Sequence, residues 1–266
     1  LEIGSVLGNR YEIEAVLGEG GFSKVYLAVD RERGRKWAVK ELDKGRLMDG
    51  RLYQMLKNEA ELVQKLDYPY FPHIEERMEG QGRCYIVMEY LQGETLEDML
   101  KRRGPIPPGE VAKWGRDMCL VLGYLHQLSP PLVYRDMKPG NIVRQPGGNL
   151  RLIDFGAVWG WAGKEEEIRL GTKGYAAPEQ MERDGAIDAR TDIYGLGATM
   201  YRLLTGADVR RFPAGEYHAR HWNRLVPRRL DKVIWKCTRA NPKERYQSCG
   251  ELEKELWKEI KNRTYV

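Results

Sequence analysis

Three residues within six positions, Asp136, Lys138 and Asn141, set a carboxylate, an ammonium and an amide on one short segment, Tyr134-Arg135-Asp136-Met137-Lys138-Pro139-Gly140-Asn141-Ile142-Val143. Pro139 has no N–H and Gly140 no Cβ, so the segment reads as a loop held in an irregular shape rather than as helix or strand. In such a loop Asp136 is a base candidate, Lys138 a cation and Asn141 a metal-ligating amide. A second polar point, Asp154-Phe155-Gly156, ends the apolar run from Leu150 to Ile153. Two acidic residues that each close an apolar segment suggest a metal-assisted site. Asp and Gly also build ordinary turns, and each motif alone leaves that reading open.

Two features nearer the N-terminus could serve the same chemistry. Gly18-x-Gly20-x-x-Ser23-x-Val25 lies between two alternating stretches, Tyr11 to Val16 and Ser23 to Asp30, and reads as the tip of a β-hairpin with the chain turning over Leu17 to Phe22. Small residues there let backbone N–H groups approach phosphate oxygens, although a tight turn also calls for glycine. The strand-to-strand context is not that of a dinucleotide fingerprint, which needs strand-to-helix. Lys40 falls within a third strand, Arg35 to Leu42, on the side of Ala38 and opposite Trp37 and Val39. A lysine head facing a core is costly without a counter-charge. Glu59, on the apolar edge of a helix expected over about 51–66, is its natural partner; a solvent-exposed Lys40 is the alternative.

The elements that must position these groups come in blocks. Two more strands, near His73 to Met78 and Arg83 to Glu89, complete a five-stranded antiparallel sheet with one helix. After Gly93 the apolar spacing turns helical, over Val111 to Gln127, Thr191 to Thr205, Leu230 to Thr238 and Gly250 to Lys261. Strands followed by helices predict an α+β protein with two lobes: 1–89, a hinge at 90–93, and 94–266. No internal repeat or low-complexity segment is present.

Composition narrows the class. The chain has 44 Lys and Arg against 39 Asp and Glu, a formal charge of +5, with both signs mixed along its 266 residues. Clusters such as Lys101-Arg102-Arg103, Arg210-Arg211 and Arg228-Arg229 read as solvated faces that could attract an acidic partner, and no nucleic-acid surface is expected. Cys84, Cys119, Cys237 and Cys249 lack metal-ligand spacing and read as free thiols of a reducing compartment. No apolar run is long enough to span a bilayer, which points to a cytoplasmic stretch, with an anchor elsewhere in a longer protein still compatible.

Taken together and in order, Gly18-x-Gly20, Ala38-Val39-Lys40, Glu59, Tyr134-Arg135-Asp136 with Asn141, Asp154-Phe155-Gly156 and Ala177-Pro178-Glu179 resemble the signature set of the protein kinases. The resemblance runs from about Tyr11 to about Leu256 and is to the eukaryotic-like Ser/Thr kinases of bacteria. It implies a two-lobed kinase fold and transfer of the γ-phosphate of Mg-ATP to Ser or Thr hydroxyls of proteins. By resemblance, Leu17, Gly18, Glu19, Gly20, Gly21, Phe22, Ser23, Lys24 and Val25 would cover the nucleotide, and Ala38 and Val143 would also bind it. Met88 would be the gatekeeper, and Glu89 to Leu91 the backbone that meets adenine. Lys40, paired with Glu59, would hold the α- and β-phosphates. Asp136 would accept the substrate proton, Asn141 and Asp154 would hold Mg²⁺, and Lys138 would contact the γ-phosphate and mark Ser/Thr specificity. Thr172 would bond Asp136 and Lys138, Asp192 would accept N–H groups of the catalytic loop, and Arg245 would pair with Glu179.

Three positions depart from the family pattern. Ser23 replaces a third glycine, and Tyr134 stands where histidine is usual, packed beneath Phe155. Residues 157–171 hold no Ser, Thr or Tyr, but do hold Glu165-Glu166-Glu167, followed by Arg169. One of those glutamates could meet Arg135 in place of an activating phosphate, giving activity without phosphorylation; a solvated acidic loop is the equal alternative. The competing function is a nucleotide-binding pseudokinase or scaffold, against which stand Lys40, Glu59, Asp136, Asn141 and Asp154. A homodimer is compatible with all of these features.

Overall fold

Alternation of apolar and polar side chains gives the N-terminal part its sheet. The computed structural model describes residues 1–19, 23–43, 68–80, 82–154, 159–160, 171–182 and 185–264. The chain divides into two units: Leu1–Gly93 with Gln145–Gly147 and Arg151–Gly156, and Glu94–Arg144 with Gly148–Leu150 and Ala157–Val266.

In the first unit, β1 (Val6–Leu7), β2 (Tyr11–Glu19), β3 (Ser23–Asp30), β4 (Lys36–Asp43), β5 (Ile74–Gly80) and β6 (Arg83–Glu89) form one sheet in the order β1-β2-β3-β4-β6-β5. Every pairing is antiparallel. One face buries Tyr11, Ile13, Tyr26, Ala28, Trp37, Val39, Tyr85 and Val87, two residues apart on each strand as the pleat requires. The sheet has six strands rather than five, because the two residues of β1 pair with Tyr11 and Glu12. Such a strand is too short to show a period.

Strand β2 also runs further than the alternation suggests. Its pairing with β3 continues to Glu19↔Lys24, with register shifts between Ile13 and Ala15 and between Val16 and Gly18. Each shift sets two residues of β2 against one of β3, which spoils the period-2 signal over Ala15, Val16 and Leu17. Leu17, Gly18 and Glu19 are therefore strand, not turn. The helix expected over 51–66, with Glu59, lies outside the described residues, as do Gly20, Gly21, Phe22, Phe155 and Glu165 to Glu167.

The second unit is helical: α1 (Leu96–Arg103), α2 (Pro108–His126), α3 (Ala189–Thr205), α4 (Ala219–Trp222), α5 (Arg228–Cys237) and α6 (Cys249–Thr264). Short strands accompany them. β7 (Glu94–Thr95) pairs with β9 (Ile142–Arg144), and β8 (Leu132–Val133) with β11 (Trp159–Gly160). β10 (Leu150–Leu152), whose last two residues belong to the first unit, leads toward Asp154.

Helix α3 is buried on nearly all sides and serves as the core of this unit. It begins at Ala189, because Asp188 caps it by accepting the Arg190 N–H at 2.8 Å. The helix thus starts two residues before the Thr191 expected from the sequence, and Asp192 lies in its first turn. Gly206, at φ 68°, closes it in the left-handed conformation that glycine adopts without strain.

Helix α5 approaches α3 at Gly197. A Cβ on Gly197 would lie 2.5 Å from the Cys237 Cβ on α5. Gly197→Ala is expected to destabilise the protein by about 1–3 kcal/mol, the cost of overpacking, despite the better helix propensity of alanine. Urea unfolding would show this, and a midpoint at or above that of the parent protein would overturn the close-packing argument.

Candidate active site

Cross-strand partners share a face of a sheet, so the pairings align the side chains of the first unit in rows. Gly18 pairs with Val25, Val25 with Lys40 and Lys40 with Ile86; in the next row Ala15, Leu27, Ala38 and Met88 pair in turn. Gly18, Val25, Ala38, Lys40 and Met88 thus share the face opposite the Trp37–Val39 core. Glu19 and Lys24 point the other way. Lys24 pairs with Glu41, its ammonium lies 3.7 Å from Glu19 and 5.6 Å from the centre of the Tyr26 ring. Any share these two have in phosphate binding would pass through the main chain.

Lys40 Nζ donates to Asp154 Oδ1 at 2.7 Å, and its side chain is only 12% exposed. The strand thus places an ammonium on a half-buried face, and a carboxylate 114 residues later meets it. This ion pair is not apparent from the sequence, where Glu59 is the natural counter-charge. Glu89, at the end of β6, is tied by Arg151 Nη2 at 2.8 Å, and its N–H donates to His73 O at 2.8 Å. Leu91, two residues on, is buried.

The second unit gathers the other group. Asp136 Oδ2 accepts from Lys138 Nζ at 2.6 Å and from Asn141 Nδ2 at 3.0 Å. Asp136 Oδ1 accepts from Thr172 Oγ1 at 2.7 Å and from the Thr172 N–H at 3.2 Å. Lys138 Nζ also donates to Thr172 Oγ1 at 2.7 Å, closing a triangle of carboxylate, ammonium and hydroxyl. Pro139–Asn141 forms a single 3₁₀ turn, which brings Asn141 back toward Asp136. Val143 follows in β9, buried and paired with Thr95.

Four donors on one carboxylate hold its plane in place, and each charge-assisted bond is stronger than a neutral one. Thr172→Val keeps the volume and removes the hydroxyl. If the chain transfers phosphoryl groups as the kinase resemblance implies, the variant is expected to lose about tenfold in kcat, since hydrogen bonds to charged groups carry about 1.5–3 kcal/mol. Steady-state kinetics at saturating ATP would test this; an unchanged kcat would make the Thr172 bonds incidental.

The loop is fixed from below by a buried carboxylate. Asp192 Oδ2 accepts the Tyr134 N–H at 2.8 Å and Oδ1 accepts the Arg135 N–H at 2.7 Å. These bonds hold Arg135 at φ 69°, a left-handed conformation that a non-glycine residue adopts only when its surroundings compel it. His126 Nε2 lies 2.8 Å from Asp192 Oδ2, a contact with no signal in the sequence.

On the other side, Gln180 Nε2 donates to Arg135 O at 3.0 Å, tying the Pro178–Gln180 turn to the loop. That turn is anchored in turn by Arg245. Its guanidinium grips Glu179 with two bonds of 2.6 and 2.8 Å and donates to the carbonyls of Arg239, Arg190 and Ala240. Near Thr172, burial raises the Tyr175 phenol well above its ordinary value, with Glu97 adding to the effect, so it stays a neutral hydroxyl. The four cysteines are free and buried, and burial likewise keeps the Cys119, Cys237 and Cys249 thiols protonated.

Among the described residues no group of three or more His, Cys, Asp or Glu could hold a metal by itself. Nor is any described helix long and apolar enough to cross a membrane.

Comparison with known proteins agrees with this geometry. A family model described as a protein kinase domain matches residues 11–264. The chain is 31% identical to the serine/threonine-protein kinase PrkC of Bacillus subtilis, over 96% of its own length and 41% of that protein. It is 33% identical to PknB of Mycobacterium leprae, over 94% of its length and 43% of that protein. It is 32% identical to PknL of Mycobacterium tuberculosis, over 91% and 63%. The chain thus spans less than half the length of PrkC and PknB. With the family pattern matched across almost its whole length, the chain belongs to the protein kinase family, as a domain of the eukaryotic-like Ser/Thr kind that these bacterial proteins carry.

Proposed function

We propose that this domain transfers the γ-phosphate of ATP to serine or threonine hydroxyls of protein substrates. The reading is carried above all by Asp136, whose carboxylate is fixed by Lys138, Asn141 and Thr172. A hydroxyl presented to that carboxylate gives up its proton to it while its oxygen attacks the γ-phosphorus, and the bond to the β–γ bridging oxygen breaks toward ADP. Lys138, bonded to both Asp136 and Thr172, is placed to neutralise charge on the transferring phosphoryl group. The two charges act on a reaction that needs positioning and charge neutralisation more than covalent help.

Gly18, Val25, Ala38 and Met88 share the face from which Lys40 projects, and we assign nucleotide contact to that face. Lys40 would exchange part of its hold on Asp154 for the α- and β-phosphates, with Glu59 as the second counter-charge. Asn141 and Asp154 would hold Mg²⁺, which would supply positive charge against the phosphates. The segment from Glu89 to Leu91 would face the adenine edge, and the domain boundaries are assigned as 1–89, 90–93 and 94–266. We assign the domain to the cytoplasm, where ATP is at hand.

Incubating the protein with Mg·ATP labelled at the γ-phosphate and a generic Ser/Thr protein substrate tests the reading. Label is expected on Ser or Thr, mapped by mass spectrometry. Nucleotide binding without transfer would establish the scaffold instead.

A further inference from the structure

Asp192 gathers three donors although it is fully buried: the main-chain N–H groups of Tyr134 and Arg135, and His126 Nε2. The imidazole is 9% exposed, so its second nitrogen also needs a partner inside the protein. That partner is the thiol of Cys249, with Sγ 3.7 Å from Nδ1. A carboxylate only accepts, so Nε2 must carry the proton; in a neutral imidazole Nδ1 is then a lone pair. A thiol is the complement it requires, and Cys249, at the first turn of α6, is 2% exposed.

We propose that Cys249 is a positioning residue of the catalytic loop: its thiol donates to His126 Nδ1, confines the imidazole proton to Nε2 and so aims it at the carboxylate that holds Tyr134 and Arg135. Burial, with Asp192 and Cys237 nearby, keeps that thiol protonated and able to donate. Three helices contribute one link each: α6 the thiol, α2 the imidazole and α3 the carboxylate. The catalytic loop is the fourth member, held through its main chain. No surface charge takes part, and the chain of bonds ends one residue from Asp136. A histidine held by a further hydrogen-bond partner is fixed in tautomer and ring orientation, and here the oriented group is the loop's own anchor.

The kinetic part of the test rests on the proposed transferase activity; the spectroscopic part does not. In the unmodified protein, nitrogen NMR of the His126 side chain is expected to show a proton on Nε2 alone. A proton on Nδ1, alone or with Nε2, overturns the proposal whatever the enzyme's activity. Cys249→Ala and Cys249→Ser leave similar space, but only serine keeps a donor. The alanine variant is expected to lose about fivefold in kcat, the size of one modest hydrogen bond, at unchanged KM for ATP and protein substrate. The serine variant is expected to stay within about twofold of the parent. Equal losses in both variants, or none in the alanine variant, would reduce Cys249 to packing. A protein with no transfer activity would defeat the proposed function and leave the NMR result to decide this inference.

Discussion

Asp136→Asn is expected to lower kcat by about a thousandfold, within the range of a lost general base, while leaving ATP affinity nearly unchanged. A thousandfold is about 4 kcal/mol of barrier. The size follows from the four donors on the carboxylate, two on each oxygen. Asparagine keeps the shape but turns one oxygen into an amino group. Whichever side that group takes, it faces two donors: Lys138 and Asn141, or the two groups of Thr172. The variant therefore loses the proton acceptor and the negative charge opposite Lys138, and leaves one pair of donors facing a third. Kinetics beside a nucleotide-binding titration would separate the effects, and a kcat within tenfold of the parent would remove Asp136 from the base role.

Arg245→Met is expected to cost about 3–5 kcal/mol of stability, the usual penalty for removing one partner of a buried pair. The Arg245 side chain is 0% exposed and that of Glu179 6%. Without the guanidinium, Glu179 retains the Thr191 hydroxyl at 3.0 Å as its hydrogen-bond partner, too little for a buried carboxylate. Three main-chain carbonyls lose a donor at the same time. The double variant Arg245→Met with Glu179→Leu should recover much of the loss, because it removes the stranded charge. Urea unfolding of the single and double variants measures both, and a single variant within about 1 kcal/mol of the parent would mean that water reaches Glu179. Activity should fall with stability in the single variant, since Gln180 on the same turn holds the Arg135 carbonyl.

How much of this is readable in the sequence depends on distance along the chain and on regularity. Asp136, Lys138 and Asn141 lie so close together that their convergence is visible in the sequence alone, and the structure unites them with Thr172. The pair of Glu179 and Arg245, 66 positions apart, becomes readable only through a family resemblance. Strand β6 announces itself by a short apolar run, Cys84 to Met88, closed at each end by a charge. Strand β2 is legible by alternation only from Tyr11 to Val16; its last three residues, Leu17 to Glu19, are not, because the two register shifts put apolar residues at three consecutive positions. The helix read from Thr191 starts two residues earlier, and only the geometry shows that Asp188 caps it while Asp192 reaches the loop. The link from Cys249 to His126 joins two apolar helices across 123 positions, and no pattern of residue types marks it.

The irregularity of β2 has a further consequence when set beside β4. Strand β4 makes seven consecutive pairs with β3 and seven with β6, and neither set contains a shift. An inserted or deleted residue there would turn Lys40 toward the Trp37–Val39 face, because one step of register exchanges the two sides of a strand. In β2 the loss of Glu14 or Leu17, the residues skipped by the pairing, would remove a bulge and leave Gly18 on its present side. Changes in length can therefore accumulate beside the glycines without moving them across the sheet, while the lysine strand admits none.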